Sequence, residues 1–183
     1  MVFVQPLDRR GPANLTLQPG FNVTLLMSEK VHFYCAEENA KTFVIKDDNG
    51  KKVFEQSIDD QTKGISIDPR KANLKAGQKY SWSVNGNGKV YNFTILDSNS
   101  EKEILKKLAE IEKKFSSPDE SLLKKANYLQ LLSDASEHQI DLYWLSYQWL
   151  SKISSNNEEI KNEKLYLLDE CQRHYILEKV RNR

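Results

Sequence analysis

The stretch LKAGQKYSWSVNGNGKVYNFTIL, residues 74–96, decides how the first half of the chain folds. Its apolar and polar residues alternate, which is typical of strands with one buried face, and its two Asn-Gly pairs favour a tight hairpin turn. Leu74, Gly77 and Tyr80 form an L-x-x-G-x-x-Y pattern, in which the tyrosine hydroxyl bonds to backbone a few residues upstream. We therefore interpret the stretch as framework, with Trp82 in a core between two sheets. An exposed Trp82 that binds a sugar or a peptide is the alternative.

The same alternation extends back along the chain to Leu15, and Gly, Pro, Asn and Asp separate the alternating segments. Short strands joined by such turn residues are the pattern of a β-sandwich. We predict a sandwich of the immunoglobulin or fibronectin type III kind over residues 1–97. Its strands are predicted in NVTLL, VHFYC, TFVIKD, KVFEQSI, GISID, KYSWSV and KVYNFTIL.

The hydrophobic period changes from two to about 3.6 after the last of these segments, which indicates helices. Ser100 followed by Glu103 is a capping-box signature, and Ser117 followed by Pro118 marks the start of a second helix. We predict an all-α array of four helices in hairpins over residues 98–183. Its helices are expected to start near residues 100, 117, 137 and 157, and this spacing of about twenty residues resembles that of tetratricopeptide hairpins.

The third predicted helix carries more aromatic residues than one narrow packing stripe needs. Tyr143, Trp144, Tyr147 and Trp149 lie within two turns of it. We expect most of them to pack against the other helices and the sandwich, and we expect the remaining exposed part to dock a protein partner. These four residues are the predicted protein-binding site.

Charge and motifs narrow the classes of function. The 27 basic and 26 acidic side chains are mixed along the chain, so that no basic face for nucleic acid is expected. No apolar run is long enough to span a membrane. The sequence also lacks the motifs of serine hydrolases, zinc proteases and nucleotide-binding proteins. We therefore expect no enzymatic activity, no cofactor and no metal site.

Two other classes of function compete with protein binding. In VHFYC, His32 and Tyr34 alternate with the apolar residues and are expected on the outer face of the sandwich. Together with Tyr91 they are candidate platforms of a carbohydrate-binding module. A hydrolase with an unrecognised site is the third hypothesis, and it predicts Asp, Glu and His side chains clustered in a cleft.

Several segments in order resemble an uncharacterised family of exported bacterial proteins, best known from cyanobacteria. They are FVQPLDRRGP, VHFYC, TFVIKDDNGKKVFEQ, GISIDPRKANLKAGQKYSWSV and YLQLLSDASEHQIDLYWLSYQWLSKI. The start MVFVQPLDRRG lacks the apolar stretch of a signal peptide, which fits either a cytoplasmic protein or one whose signal was removed. The resemblance implies the second case and a periplasmic or extracellular address, but no activity. We expect a non-enzymatic interaction or structural module of the bacterial cell envelope with a protein partner, or alternatively a glycan.

Overall fold

The described strands all come first in the chain, and the described helices all follow them. A computed structural model describes residues 17–19, 22–35, 40–58, 64–84, 90–136, 140–153, 158, 160–167 and 170. The strands are β1 (Leu17–Gln18), β2 (Val23–Leu25), β3 (Val31–Cys35), β4 (Thr42–Asp47), β5 (Lys52–Ser57), β6 (Gly64–Ile67), β7 (Lys79–Val84) and β8 (Tyr91–Ile95). The helices are α1 (Ser98–Lys114), α2 (Pro118–Ala135) and α3 (Tyr143–Ser151), and residues 160–167 form a fourth helical segment.

The strands form one large and one small sheet. The large sheet has the order β2-β8-β7-β4-β5 and is mixed, because β2 runs parallel to β8 while its other pairs are antiparallel. The small sheet has the order β1-β3-β6 and is antiparallel. Aromatic rings join the two sheets: the ring of Phe33 on β3 lies 5.3 Å from that of Trp82 on β7 and 4.9 Å from that of Phe43 on β4. Trp82 is therefore a core residue, as predicted.

The predicted immunoglobulin- or fibronectin type III-like sandwich is wrong as a fold assignment. That fold needs two antiparallel sheets of comparable size, whereas here five strands form a mixed sheet and three form a small companion whose β1 has two residues. Alternation shows which face a strand buries, but it does not show which strand lies beside it or in which direction. All three residues of β2 are buried, so this strand shows no alternation of buried and exposed residues that could indicate its place in the sheet.

The predicted tetratricopeptide-like array is also wrong. Helices α1 and α2 have 17 and 18 residues, but α3 has nine, and six of these are buried. The predicted third helix over residues 137–153 is shortened because the backbone of Asp141 pairs with the sheet instead of with a helical turn. The Thr24 N–H donates to the Asp141 carbonyl at 2.7 Å, and the Asp141 N–H donates to Oγ1 of Thr24 at 3.0 Å.

The L-x-x-G-x-x-Y pattern has the predicted structure. The hydroxyl of Tyr80 accepts the N–H of Lys75 at 2.9 Å, and Leu74 is buried. Gly77 has a φ of 74°, which explains why glycine stands at this turn. The hairpin turn predicted for residues 85–88 lies outside the described residues.

The helix starts were predicted with mixed success. Ser117 accepts the Glu120 N–H at 3.4 Å and Pro118 opens α2, as predicted. The cap predicted at Ser100 is wrong, because Asp97 caps α1 by accepting the N–H groups of Asn99 and Ser100 at 3.0 Å each. Helix α1 thus begins at Ser98. The division into two domains at this point stays a prediction.

Helix α1 is joined to the sheets by a buried carboxylate. The side chain of Glu101 accepts the N–H of Met27 at 3.1 Å and that of Ser28 at 2.8 Å. Both donors belong to the turn between β2 and β3. The core is also continuous between strands and helices, since Tyr143, Trp144 and Leu150 belong to the same hydrophobic cluster as Phe33 and Trp82.

Candidate functional site

A cleft of about 780 Å³ lies between the outer face of the small sheet and helix α3. Strand β3 contributes His32 and Tyr34, whose neighbours Val31, Phe33 and Cys35 point into the core. Strand β6 contributes Ser66, which lies opposite His32 in the register of the two strands. Helix α3 provides the other wall, mainly with Trp144, Tyr147, Gln148 and Trp149.

Helix α3 is held on β3 by two hydrogen bonds to one carbonyl. Trp144 Nε1–H donates to the His32 carbonyl oxygen at 3.0 Å, and Gln148 Nε2–H donates to the same oxygen at 3.2 Å. In the described residues β1 pairs with Tyr34 and Cys35 but not with His32. Helix α3 therefore supplies hydrogen-bond donors to the edge of β3 beyond the end of β1. The cleft is formed where the helix packs against this strand.

Three of the four predicted protein-binding residues line the cleft. Trp144 and Tyr147 stack with their rings 5.4 Å apart and 26° from parallel, and Trp149 lies on the same wall of the cleft. Trp144 and Trp149 are almost buried, while Tyr147 is partly exposed. Tyr147 is thus the member of the set best placed to touch a ligand.

The fourth predicted residue, Tyr143, lies in the core rather than in the cleft. It is 1 % exposed, and its hydroxyl donates a hydrogen bond to the Asp134 carboxylate. Burial, and then this hydrogen bond, raise the pKa of Tyr143 well above its usual range. Tyr143 therefore fastens α3 to α2 and is not available to a partner.

The three candidate sugar platforms lie in different places. His32 and Tyr34 both line the cleft, and Tyr34 is 37 % exposed. Tyr91 is buried at 3 % exposure and stacks on Trp82 at a ring distance of 4.7 Å, so its prediction as a platform is wrong. Tyr91 shares the inward face of β8 with Phe93, and the alternation of residues along that strand could have predicted its burial.

His32 lies on the outer face of β3, as expected, and it is half-buried there in the wall of the cleft. Its Nδ1 is hydrogen-bonded to Oγ of Ser66 at 3.1 Å, and burial lowers its pKa. The ring lies directly over Gly64, where an added Cβ would meet Nε2 of His32 at 2.6 Å. Glycine at residue 64 therefore makes room for the imidazole.

An exposed serine beside a neutral imidazole provides a nucleophile and a general base, which are two of the three members of a Ser-His-Asp triad. In such an arrangement a carboxylate orients the imidazole. Among the described residues that line the cleft there is neither Asp nor Glu. The described lining residues supply aromatic rings, hydroxyl and amide groups, and the two ammonium groups of Lys30 and Lys152.

A second, smaller cavity adjoins the cleft and has a volume of about 240 Å³. Lys30 and Ser66 line both cavities. The smaller cavity extends from the end of β6, at Ile67 and Asp68, to Phe54 on β5. The Ser66 backbone thus lies at the border between the two spaces.

Sequence reasoning missed Lys30, Ser66, Gln148 and Lys152. Gln148 follows Trp144 by four residues, and this spacing places both on one helix face. Ser66 alternates with the buried Ile65 and Ile67 and so could have been assigned to an outer face. That this face meets His32 depends on the pairing of β3 with β6, which no local pattern indicates.

Neither a metal-ion cluster nor a membrane-spanning helix is found in the described part of the chain. That part contains no group of three or more His, Cys, Asp or Glu side chains placed to hold a metal ion. Cys35 is buried in the core, whereas Cys171, His174 and His138 lie outside the described residues. No described helix combines the length and the apolar character required to cross a bilayer.

Comparison with known protein families gave no match to this chain, and comparison with curated proteins gave none either. The resemblance to the exported bacterial family therefore stays a prediction.

Proposed function

We propose that this protein is a non-enzymatic interaction module of the bacterial cell envelope, and that it binds a segment of a partner protein in the cleft between β3 and α3. The observation that supports the proposal is the convergence of two separate residue sets in this cleft. Trp144 and Tyr147 come from the helix, and His32 and Tyr34 come from the sheet. The envelope address is supported by the resemblance alone.

The chemistry of the cleft suits a peptide. Its volume of about 780 Å³ falls within the range of roughly 300–1,000 Å³ that is usual for ligand sites. Aromatic side chains contribute most to affinity at protein interfaces, and Tyr34 and Tyr147 are the accessible ones here. Ser66 and Gln148 add hydroxyl and amide groups that can bond to a peptide backbone.

Selection from a phage-displayed random peptide library tests the proposal. Peptides are enriched on the full chain and their binding is then measured to Tyr147→Ala and Tyr34→Ala variants. The matched control is Tyr166→Ala, because Tyr166 is 43 % exposed in the fourth helical segment and does not line the cleft. Thermal unfolding verifies that each variant is folded.

We expect selected peptides to bind the wild type and the control alike, and to bind the two cleft variants at least about tenfold more weakly. Peptides that ignore both cleft substitutions would overturn the assignment of the site. A glycan array provides the competing outcome: an oligosaccharide that binds in a Tyr34-dependent manner, with no peptide selected, would replace the protein partner by a glycan. Turnover of an ester substrate that requires Ser66 would refute a non-enzymatic role.

A further inference from the structure

We propose that the partner segment is an acidic stretch of peptide, whose carboxylates are bound by Lys30 and Lys152 while one of its apolar side chains is buried in the cleft. This inference rests on the proposed function and specifies the chemistry of the partner. Three observations carry it: the position of the two lysines on facing walls, the lack of a described acid that would neutralise them there, and the aromatic surface of the same cleft.

The two lysines lie on opposite walls of the cleft. Lys30 directly precedes β3, and Lys152 directly follows α3. Lys152 continues the helical spacing of Trp144 and Gln148, because each follows the previous one by four residues and Lys152 keeps a helical backbone conformation. Since Trp144 and Gln148 both donate to the His32 carbonyl, this side of α3 faces β3. A bound segment would therefore meet an ammonium group on each wall.

Neither ammonium group is paired with a carboxylate from the described part of the chain. Lys30 and Lys152 are both exposed and take part in none of its ion pairs. The described lining of the cleft includes no acid, and the adjoining cavity adds Lys71 and Asp68. With His32 neutral, the described residues around the two spaces therefore bring three positive charges and one negative charge. The whole chain has a formal net charge of only +1, so positive charge is concentrated here.

The same cleft offers an apolar surface to a bound segment. Trp144 and Trp149 are almost buried, whereas Tyr34 and Tyr147 keep part of their surface accessible. Protein interfaces combine such an apolar centre with a polar rim that stays in contact with water. An apolar side chain of the partner would be buried against the rings, and carboxylates beside it would remain near the exposed lysines. The arrangement therefore predicts an apolar residue with Asp or Glu on both sides of it in sequence.

The lysines also decide between an acidic and a basic segment. Aromatic rings alone can bind a cation through their negative faces. Here a basic segment would bring its charge close to Lys30 and Lys152, and like charges across an interface weaken binding and exclude wrong partners. A neutral segment would avoid this repulsion but would gain no attraction. An acidic segment that contains an apolar residue is the class that both the rings and the ammonium groups favour.

The peptide library that tests the proposed function also tests this inference, through the composition of the selected peptides. Relative to the unselected library, we expect Asp and Glu to be enriched on both sides of an apolar residue, and Lys and Arg to be depleted. A second selection uses the full chain with Lys30→Glu and Lys152→Glu combined. Because this cleft variant reverses the charge on both walls, we expect the enrichment to reverse as well and to favour Lys and Arg.

Fluorescence anisotropy with a labelled peptide from the first selection separates the local charge from the total charge. The matched control combines Lys79→Glu with Lys102→Glu, since both lysines are exposed and neither lines the cleft or the adjoining cavity. We expect the peptide to bind at least about tenfold more weakly to the cleft variant and within about twofold of wild type to the control. Added salt should weaken its binding to the wild type. If thermal unfolding shows that the cleft variant is not folded, the peptide composition and the salt dependence decide alone.

The outcomes distinguish this inference from the proposed function. Selected peptides that need Tyr147 but carry no excess of acid, or that bind the cleft variant as well as the control, overturn the acidic segment and leave the proposed function standing. Selection of basic peptides on the wild type would have the same effect. An oligosaccharide of galacturonate units that binds the wild type but not the cleft variant, with no peptide selected, would replace the protein partner and overturn both. If neither a peptide nor this oligosaccharide binds, both also fall.

Discussion

Thr24 and Asp141 join the two halves of the chain through a reciprocal pair of hydrogen bonds across 117 residues of sequence. The Thr24 N–H reaches the Asp141 carbonyl, and the Asp141 N–H reaches the Thr24 hydroxyl. Both residues are buried. The segment before α3 thus occupies the open edge of β2, on the side away from β8.

Thr24→Val should lower the free energy of unfolding by about 1–3 kcal/mol, because the buried Asp141 N–H loses this acceptor while the shape of the side chain is kept. Urea denaturation measures the effect. Thr94→Val is the matched control, because Thr94 is the register partner of Thr24 on β8 and is only half-buried. Equal losses in the two variants would show that the bond to Asp141 does not stabilise the protein.

Glu101→Gln should destabilise the protein by about 1.5–3 kcal/mol, since an amide NH₂ would replace one of the oxygens that accept the N–H groups of Met27 and Ser28. The control is Glu103→Gln, an exposed carboxylate on the same helix. Hydrogen exchange of the Met27 and Ser28 amides gives a local readout. Unchanged exchange at these two amides would contradict the assigned role.

Gly64→Ala should cost about 1–3 kcal/mol in free energy of unfolding, because the new Cβ would lie 2.6 Å from His32 Nε2 and 2.8 Å from the Phe33 carbonyl oxygen. Removing the imidazole relieves the first contact but not the second. In a double-mutant cycle with His32→Ala, part of the cost of Gly64→Ala should disappear. Purely additive effects would show that the ring does not lie over residue 64.

Burial lowers the pKa of His32, and this links stability to pH. Below about pH 6.5 the unfolded imidazole takes up a proton that the folded one resists, so unfolding becomes easier as the pH falls. We expect His32→Gln to remove this part of the pH dependence while leaving the contribution of every other group. Urea unfolding at pH 7.5 and 5.5 provides the comparison. If wild type and variant lose the same free energy between the two pH values, His32 does not contribute.

The parts of the fold that sequence reasoning predicted well are those whose determinants are close in sequence. Tyr80 finds its hydrogen-bond donor at Lys75, five residues away, and Ser117 caps a helix that begins at the next residue. The mixed sheet was not predictable in this way. Its parallel edge depends on β2 meeting β8 and on Asp141 covering β2, and both relationships join residues far apart in the chain.

The site was predicted in part for the same reason. Trp144, Tyr147 and Trp149 drew attention as aromatic residues on one short helix, and they do line the cleft. Tyr143 does not line the cleft, although it lies on the same helix. Because α3 is covered on most sides, the surroundings of each ring depend on its neighbours in the fold, such as helix α2. Ser66 lies in the cleft only because β6 pairs with β3, and no local sequence pattern predicts that pairing.

The bond between Thr24 and Asp141 also sets an order of events during protein synthesis. Thr24 is made 117 residues before its partner, and at about 5–20 residues per second the ribosome needs roughly 6–23 s to supply it. Throughout this interval the outer edge of β2 has no cover, and an uncovered strand edge can pair with another nascent chain. Protection of this edge against aggregation therefore depends on the helical half, which has to emerge before Asp141 can cover β2.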